Sequence, residues 1–413
     1  MKRYPDLMIS SVQANPYSLY EELRSHDPIY KMPGTGFILV TSFELCRQII
    51  MQPDKFASGV SPMVINPEGV PDEIAQIYER YGWLPKASCS TSDPPRHTWV
   101  RSLLSKLFTG RKVREITPYI KSAAHELLGD MMNEGSCEFV QSFAQPLPML
   151  VIAKLIGVSA DDLTKFKQWS DAIVDLFSMM VTRDRQVECA RLIVEMQHYF
   201  NRQIEFRRVN PQDDYLTILS NSTDDNGENI PIEELLSIIT IDLLASGNET
   251  TTAAIASGVL MLAKNQDIQH ELRNDKSLIP VFVEEVLRLE SPAQGMFRRV
   301  TSDTVLGDYQ FQTDDILSLR FGAANRDGAT FLQADEVDLT RHKPGNHLAF
   351  GVGRHSCIGA PLARQELITS FEIIVDHLAK IRLLEPNWIP EYVPSFFGRN
   401  LIELPIAYKQ ITI

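Results

Sequence analysis

Apolar residues recur along most of this chain at helical spacing. Ile116, Ile120, Ala124, Leu127 and Met131 share one helix face, as do Ile238, Ile241, Leu244 and Ala245. Residues 232–264 are long enough to cross the whole molecule as one central helix. The ends of the chain read differently. Ile29 to Lys31, the turn Pro33-Gly34-Thr35-Gly36 and the run Phe37 to Thr41 predict strand, turn and strand. Ser42 is placed to cap a short helix reaching about Met51. Residues 54–92, rich in Pro, Gly and Ser, predict a long irregular loop, a kind of segment that is usually functional or disordered. Helices are expected from there to about residue 290. Beyond Val300, turns at Gly307-Asp308 and Asp314-Asp315 separate short apolar runs such as Ile316 to Leu319. A last helix is expected after Cys357, and Ile381 to Leu383 and Leu401 to Tyr408 predict short terminal strands. Helices with separate small sheets give a mainly α, α+β-like fold. No repeat or linker divides residues 1–413, so one large domain is expected.

Composition narrows the function. The 413 residues are 44% hydrophobic and 23% charged, as in a folded globular protein. A formal charge of −13 argues against nucleic acid as a partner. The cysteines, Cys46, Cys89, Cys137, Cys189 and Cys357, are scattered, odd in number and form no CxxC pair. That fits neither a disulfide framework nor a zinc site, and suits a reducing cytoplasm. The start, MKRYPDLMIS, has no apolar core of a signal peptide. The best apolar run, Met149 to Ala153, ends at Lys154 and is far short of the roughly 20 residues of a membrane span. A soluble, cytoplasmic monomer without membrane attachment is expected.

The segment Phe350-Gly351-Val352-Gly353-Arg354-His355-Ser356-Cys357-Ile358-Gly359 carries the chemistry. Three glycines close to one cysteine let the backbone approach another group. Ala360 to Thr369 are good helix formers, and a cysteine at a helix N-terminus has its thiolate favoured by the dipole and the free amides. A Gly-rich turn with an incidental buried cysteine is the plainer alternative.

This loop resembles that of the cytochrome P-450 family, F-G-x-G-x-[HR]-x-C-x-G, at every fixed position. Ala360-Pro361-Leu362-Ala363-Arg364 is similar to the bacterial members as well. The resemblance implies the family's fold, with haem b between the central helix 232–264 and the helix after the cysteine loop 350–359. It makes Cys357 the iron's thiolate ligand and places Phe350, Gly351 and Gly359 at the cofactor.

Other segments carry the resemblance over nearly the whole chain. Ala245-Ser246-Gly247-Asn248-Glu249-Thr250-Thr251 is similar to the family's oxygen groove, where the central helix opens and an acid–alcohol pair, here Glu249 and Thr250, feeds protons to oxygen. Opening such a helix frees a carbonyl that a hydroxyl or water can satisfy. Glu285 and Arg288 share a helix face and can pair; in the family this E-x-x-R is a buried clamp closed by a basic residue of a later loop. Here that loop reads Phe331-Leu332-Gln333-Ala334-Asp335-Glu336-Val337, with Ala334 for the usual Pro and Glu336 for the basic residue, so Arg341 or His347 could be the third partner. Asp93-Pro94-Pro95-Arg96-His97-Thr98-Trp99-Val100-Arg101 resembles D-P-P-x-H-x-x-x-R, which assigns His97 and Arg101 to one haem propionate; Arg298 matches the arginine for the other, and His355 is a further donor.

The resemblance implies a haem-dependent monooxygenase that inserts one atom of O2 into a small hydrophobic substrate, with hydroxylation expected. Electrons would come from NAD(P)H through a separate ferredoxin and ferredoxin reductase, since the chain has no GxGxxG after a strand and no cysteine cluster. Candidate substrate contacts are Trp83, Leu84, Met179, Met180, Leu244, Met296, Phe297 and Phe396. Two basic stretches, with Arg101, Lys106, Arg111 and Lys112 in one and His342, Lys343 and Arg354 in the other, suggest where an acidic ferredoxin docks. A haem-thiolate peroxygenase or isomerase, or a non-catalytic haem sensor, are the competing readings.

Overall fold

The computed structural model describes residues 4–60, 71–131, 134–224 and 227–411. The chain gathers into two compact units. One comprises Met1–Ser58, Thr117–Leu147 and Thr250–Ile413, and the other Gly59–Ile116 and Pro148–Glu249.

The first unit holds the sheets. Five strands lie in the order Ile29–Lys31, Ile38–Val40, Ile316–Arg320, Gly295–Val300, Phe56–Ala57. The predicted N-terminal hairpin is present, with Ile29 opposite Val40 and Lys31 opposite Ile38. Residues from strands across this sheet, among them Val40, Leu317, Leu319, Val300 and Phe56, share a core cluster with Phe43, Cys46, Ile49 and Ile50 of the helix Phe43–Ile50. Ser42 does precede that helix, but its hydroxyl makes no cap bond. The carboxylate of Asp327, distant in sequence, accepts the Phe43 amide at 2.9 Å instead. In a second sheet the strand Pro405–Gln410 lies between Leu378–Leu383 and Ser136–Glu138 and pairs with both. Behind the sheets, the helices Ile279–Glu290 and Ala360–His377 meet through Phe282 and Phe371, edge to face at 5.1 Å. The central helix crosses the latter at Gly258. A Cβ there would stand 2.2 Å from Phe371 Cζ, so only glycine permits this approach.

The second unit is helical. Its spine is Arg183–Val209, capped by Thr182, whose hydroxyl accepts the Arg185 amide. The helix Leu163–Ser178 packs on it through Phe166, Trp169, Tyr199 and Phe200. The expected loop 54–92 needs correction: Asp72–Tyr81 is a helix. Ile74, Ile77 and Tyr78 are its buried residues, an i, i+3, i+4 stripe that the surrounding Pro and Gly masked. Residues 61–70 of that expectation lie outside the described residues. Helical structure runs without a break from Ile232 to Lys264, as expected, but not as one α-helix. Ile238–Ala245 is π-helical, between α-helical Ile232–Ser237 and Ser246–Lys264.

Candidate active site

Of the five cysteines, Cys357 alone is exposed. Burial pushes the thiols of Cys89 and Cys137 up to about 12 and that of Cys189 to about 11, and raises Cys46 as well. Those four are inert packing groups at neutral pH. Cys357 stands just before the helix Ala360–His377, whose N-cap is Gly359. A Cβ at Gly359 would lie 3.9 Å from the Cys357 sulfur. The loop turns at Gly351 with φ +61°, a left-handed conformation favouring glycine, and closes where the Cys357 amide donates to Phe350 O at 2.8 Å.

A charged group that sequence reasoning missed holds this loop. Arg364, one turn into the helix, grips Glu284 with two hydrogen bonds of 2.6 and 2.9 Å. Its guanidinium carbon lies 4.6 Å over the Phe350 ring, and its charge also acts on Cys357. His347 Nε2 lies 3.0 Å from the Glu284 carboxylate, and His347 Nδ1 accepts the Ala349 amide at 3.2 Å. Burial alone would raise Glu284, but the His347 and Arg364 bonds outweigh it and bring it down to about 2. His355 is half-buried, on the short turn Gly353–His355.

The expected clamp forms. Glu285 and Arg288 are both fully buried and joined by two 2.8 Å bonds. Arg341 supplies the open third partner, at 2.7 Å from Glu285, and His347 serves Glu284 instead. The departures at Ala334 and Glu336 have a physical explanation. Arg288 donates to the backbone carbonyls of Ala334 at 2.5 Å and Glu336 at 2.8 Å, so those side chains are not used.

Arg298 is buried on the strand Gly295–Val300 and donates to Phe297 O at 2.7 Å. Alternation along that strand puts Met296 on its face and Phe297 on the other. Phe297 stacks on Phe396 at 5.8 Å, with Phe37 edge-on at 5.4 Å, and Arg320 lies 4.7 Å over Phe396. These contacts make Phe297 and Phe396 core residues, and both leave the set of substrate contacts.

In the second unit, His97 is buried and Arg101 half-buried, one turn apart on the helix Arg96–Ser105. Arg101 also bonds the Cys89 thiol. Trp83 is tied to the spine: Gln197 accepts its amide at 3.0 Å and donates to its carbonyl at 2.7 Å, and its ring meets His198 at 5.3 Å. Leu84 is 48% exposed. Met179 ends the helix Leu163–Ser178 and Met180 follows, both half-buried, while Leu244 is buried in the π-helical segment. The irregular stretch lies earlier than the sequence placed it: Ser246 Oγ donates to Ile241 O, five residues back, at 2.8 Å, while Gly247, Glu249 and Thr250 stand on the regular α-helix Ser246–Lys264. Glu249 accepts from Asn248 at 3.1 Å and lies 3.7 Å from Lys167, which also pairs with Asp171. Burial raises the Glu249 carboxyl above its ordinary value, against the pull of Lys167. Thr250 follows on the same helix, half-buried.

The sequence profile of the cytochrome P-450 family matches residues 72–379. The chain belongs to that family. It is 32% identical to cytochrome P-450 107B1 of Saccharopolyspora erythraea, covering 97% of this chain and 98% of the relative. It is also 32% identical to the mycinamicin IV hydroxylase/epoxidase of Micromonospora griseorubida, over 94% of each. The crystal structure of a cytochrome P-450 from Chondromyces apiculatus superimposes with a TM-score of 0.86, at 32% identity and 99% coverage of both chains. The protein is thus a P-450 monooxygenase, with the haem iron cofactor and use of O2 that membership entails.

The residues present fit that cofactor. A single exposed thiol sits at a helix N-terminus, framed by glycine backbone and within the field of Arg364. The basic stretches of this P-450 carry less free charge than the sequence suggested. Arg96 pairs with Glu234, Arg111 with Glu115, and Lys112 with Glu115 and Asp213. In the second stretch Arg341 and Arg364 are spent on Glu285 and Glu284, while His342, Lys343 and Arg354 are exposed. Among the described residues no helix is long and apolar enough to cross a membrane.

Proposed function

We propose that this P-450 hydroxylates a small hydrophobic substrate in the cytoplasm, taking electrons one at a time from NAD(P)H through a ferredoxin and its reductase. The exposed Cys357 thiolate site, together with an acid and an alcohol in sequence on the central helix just after its π-helical stretch, carries this reading. Cys357 would bind the iron, with His97, Arg101, Arg298 and His355 as donors to the propionates. Haem bound there supplies the activation of O2 and the oxidation of a C–H bond.

The remaining roles belong to the chain. The Arg364–Glu284–His347 group fixes the cysteine loop, and the Glu285–Arg288–Arg341 clamp anchors the chain before it. Glu249 holds a proton more readily than an exposed carboxyl does, which suits a group that passes protons at neutral pH. Thr250, the next residue, would relay them to the reacting oxygen. Lys167 limits the rise of Glu249 and positions it. The relative named a hydroxylase/epoxidase supports hydroxylation. The exposed His342, Lys343 and Arg354 offer an acidic ferredoxin a better-founded docking face than Arg111 and Lys112.

The test is substrate-dependent NADH consumption with a surrogate ferredoxin pair. Consumption matched by hydroxylated product supports the reading. Turnover driven by peroxide alone would assign a peroxygenase, and no turnover by either route a sensor.

A further inference from the structure

Arg320 ends the strand Ile316–Arg320 and is only 3% exposed. Its Nε and Nη2 donate to the Tyr20 hydroxyl at 3.2 and 2.7 Å, and its Nη1 donates to Phe396 O at 2.9 Å. Both acceptors are neutral. The rings of Tyr20 and Phe396, 5.6 and 4.7 Å from the guanidinium carbon, offer only their π faces. Among the described residues no carboxylate bonds Arg320, and three of its five N–H groups are used. The neighbouring guanidiniums differ. Arg399 pairs with Glu290 at 2.9 Å, and Arg326 pairs with Asp335 at 2.9 Å and with Glu290 at 3.2 Å. Three arginines thus share two acids, and the uncompensated charge is the one on Arg320. A buried charge without a partner is costly. A methionine would fill the place between Tyr20 and Phe396 without that cost, so packing does not explain an arginine here.

Arg320 lines a crevice between the N-terminal helices Ser10–Ala14 and Tyr17–His26 and the segment 392–399, with Gln13, Tyr20, Gln294, Ser395 and Arg399 also in its wall. All of these belong to the first compact unit. The two charged residues of the wall are both arginines, Arg320 and Arg399. Ser395 Oγ accepts the Phe397 and Gly398 amides at 3.2 and 2.9 Å, which leaves its hydrogen to donate. The clear space is about 10 Å³, close to what one water-sized particle needs.

We propose that this crevice is a binding site for a single small anion, a halide such as chloride, held by Arg320 and Ser395 in the field of Arg399. The site goes beyond the monooxygenase reading and does not rest on it. A water of that size would satisfy the remaining N–H groups but leave the charge uncompensated; a halide does both. A polyatomic anion such as sulfate exceeds the space. Bound there, the ion would tie the N-terminal helices to the segment 392–399, which carries Phe396.

The test uses the holoenzyme and chloride itself as the probe. The chloride NMR linewidth reads exchange on and off the protein. The wild type is expected to broaden the line, bromide to reverse the broadening, and gluconate at the same ionic strength to leave it. Arg320→Met removes the charge-assisted bonds and is expected to bind chloride about 10-fold or more weakly. Arg111→Gln, at an exposed arginine, is the control and is expected to match the wild type. Crystals of the wild type grown in sodium bromide locate the site without any variant: an anomalous peak against the Arg320 guanidinium is expected, and it decides the matter if Arg320→Met fails to fold. Broadening that survives in Arg320→Met, an equal loss in Arg111→Gln, or bromide-grown crystals with only a water in the crevice would overturn the proposal.

Discussion

Glu285 accepts four buried hydrogen bonds: from Arg288 Nε and Nη2 at 2.8 Å each, from Arg341 Nε at 2.7 Å, and from the Asp338 amide at 3.0 Å. Burial alone would raise its carboxyl, yet the bonds from Arg288 and Arg341 outweigh it and hold the group below its ordinary value, ionised at neutral pH. Glu285→Gln keeps the volume, removes the charge and turns an NH2 group toward two of those donors. Arg288 is fully buried and the Arg341 side chain only 8% exposed, so neither guanidinium can recover its loss from water. Breaking a buried pair in this way costs about 3–5 kcal/mol, a large share of the roughly 5–15 kcal/mol that stabilises a typical protein. Glu336→Ala is the control. Its backbone carbonyl serves Arg288 while its side chain is exposed, so the change is expected within about 0.5 kcal/mol. Urea unfolding of both variants, followed by tryptophan fluorescence and Soret absorbance, measures the difference. A Glu285→Gln protein within about 1 kcal/mol of wild type, or a Glu336→Ala protein as damaged as Glu285→Gln, would refute the argument.

Glu284, brought from 4.5 down to about 2, contributes about 3 kcal/mol that is complete above pH 4.5 and lost as pH falls toward 2. The gap in unfolding free energy between wild type and Glu284→Gln is therefore expected to narrow between pH 6 and pH 3; a constant gap would contradict the assignment. Gly258→Ala drives a methyl group into Phe371 and is expected to cost about 1–3 kcal/mol in urea unfolding, with Phe371→Leu restoring part of it in the double variant. Thr250→Ala is expected to retain haem and NADH consumption while product per NADH falls severalfold and peroxide accumulates; full coupling would remove Thr250 from the proton relay.

What the sequence made legible was local or periodic. The N-terminal hairpin announced itself by alternation and a Pro-Gly turn, and the helical run 232–264 by its apolar spacing. Cys357, Glu249 and Thr250 were marked by glycines and by their order along the chain. The misses were contacts made across the fold. Whether Arg341 or His347 closes the clamp depends on a loop's path, and adjacent acids, Glu284 and Glu285, took one each. Ala334 and Glu336 looked like defects because side chains are visible in a sequence and backbone carbonyls are not. The aromatic residues Phe297 and Phe396 were candidates for the pocket although such residues more often belong to the core, and their stacking on each other and on Phe37 favours the core.

The central claim, that Cys357 is the thiolate that binds the haem iron, is tested most directly by the reduced carbonyl spectrum of the wild type and of Cys357→His. The wild type is expected to show the strongly red-shifted Soret band of thiolate ligation, and the variant a band at the position of imidazole ligation. An unchanged band in Cys357→His would contradict the account.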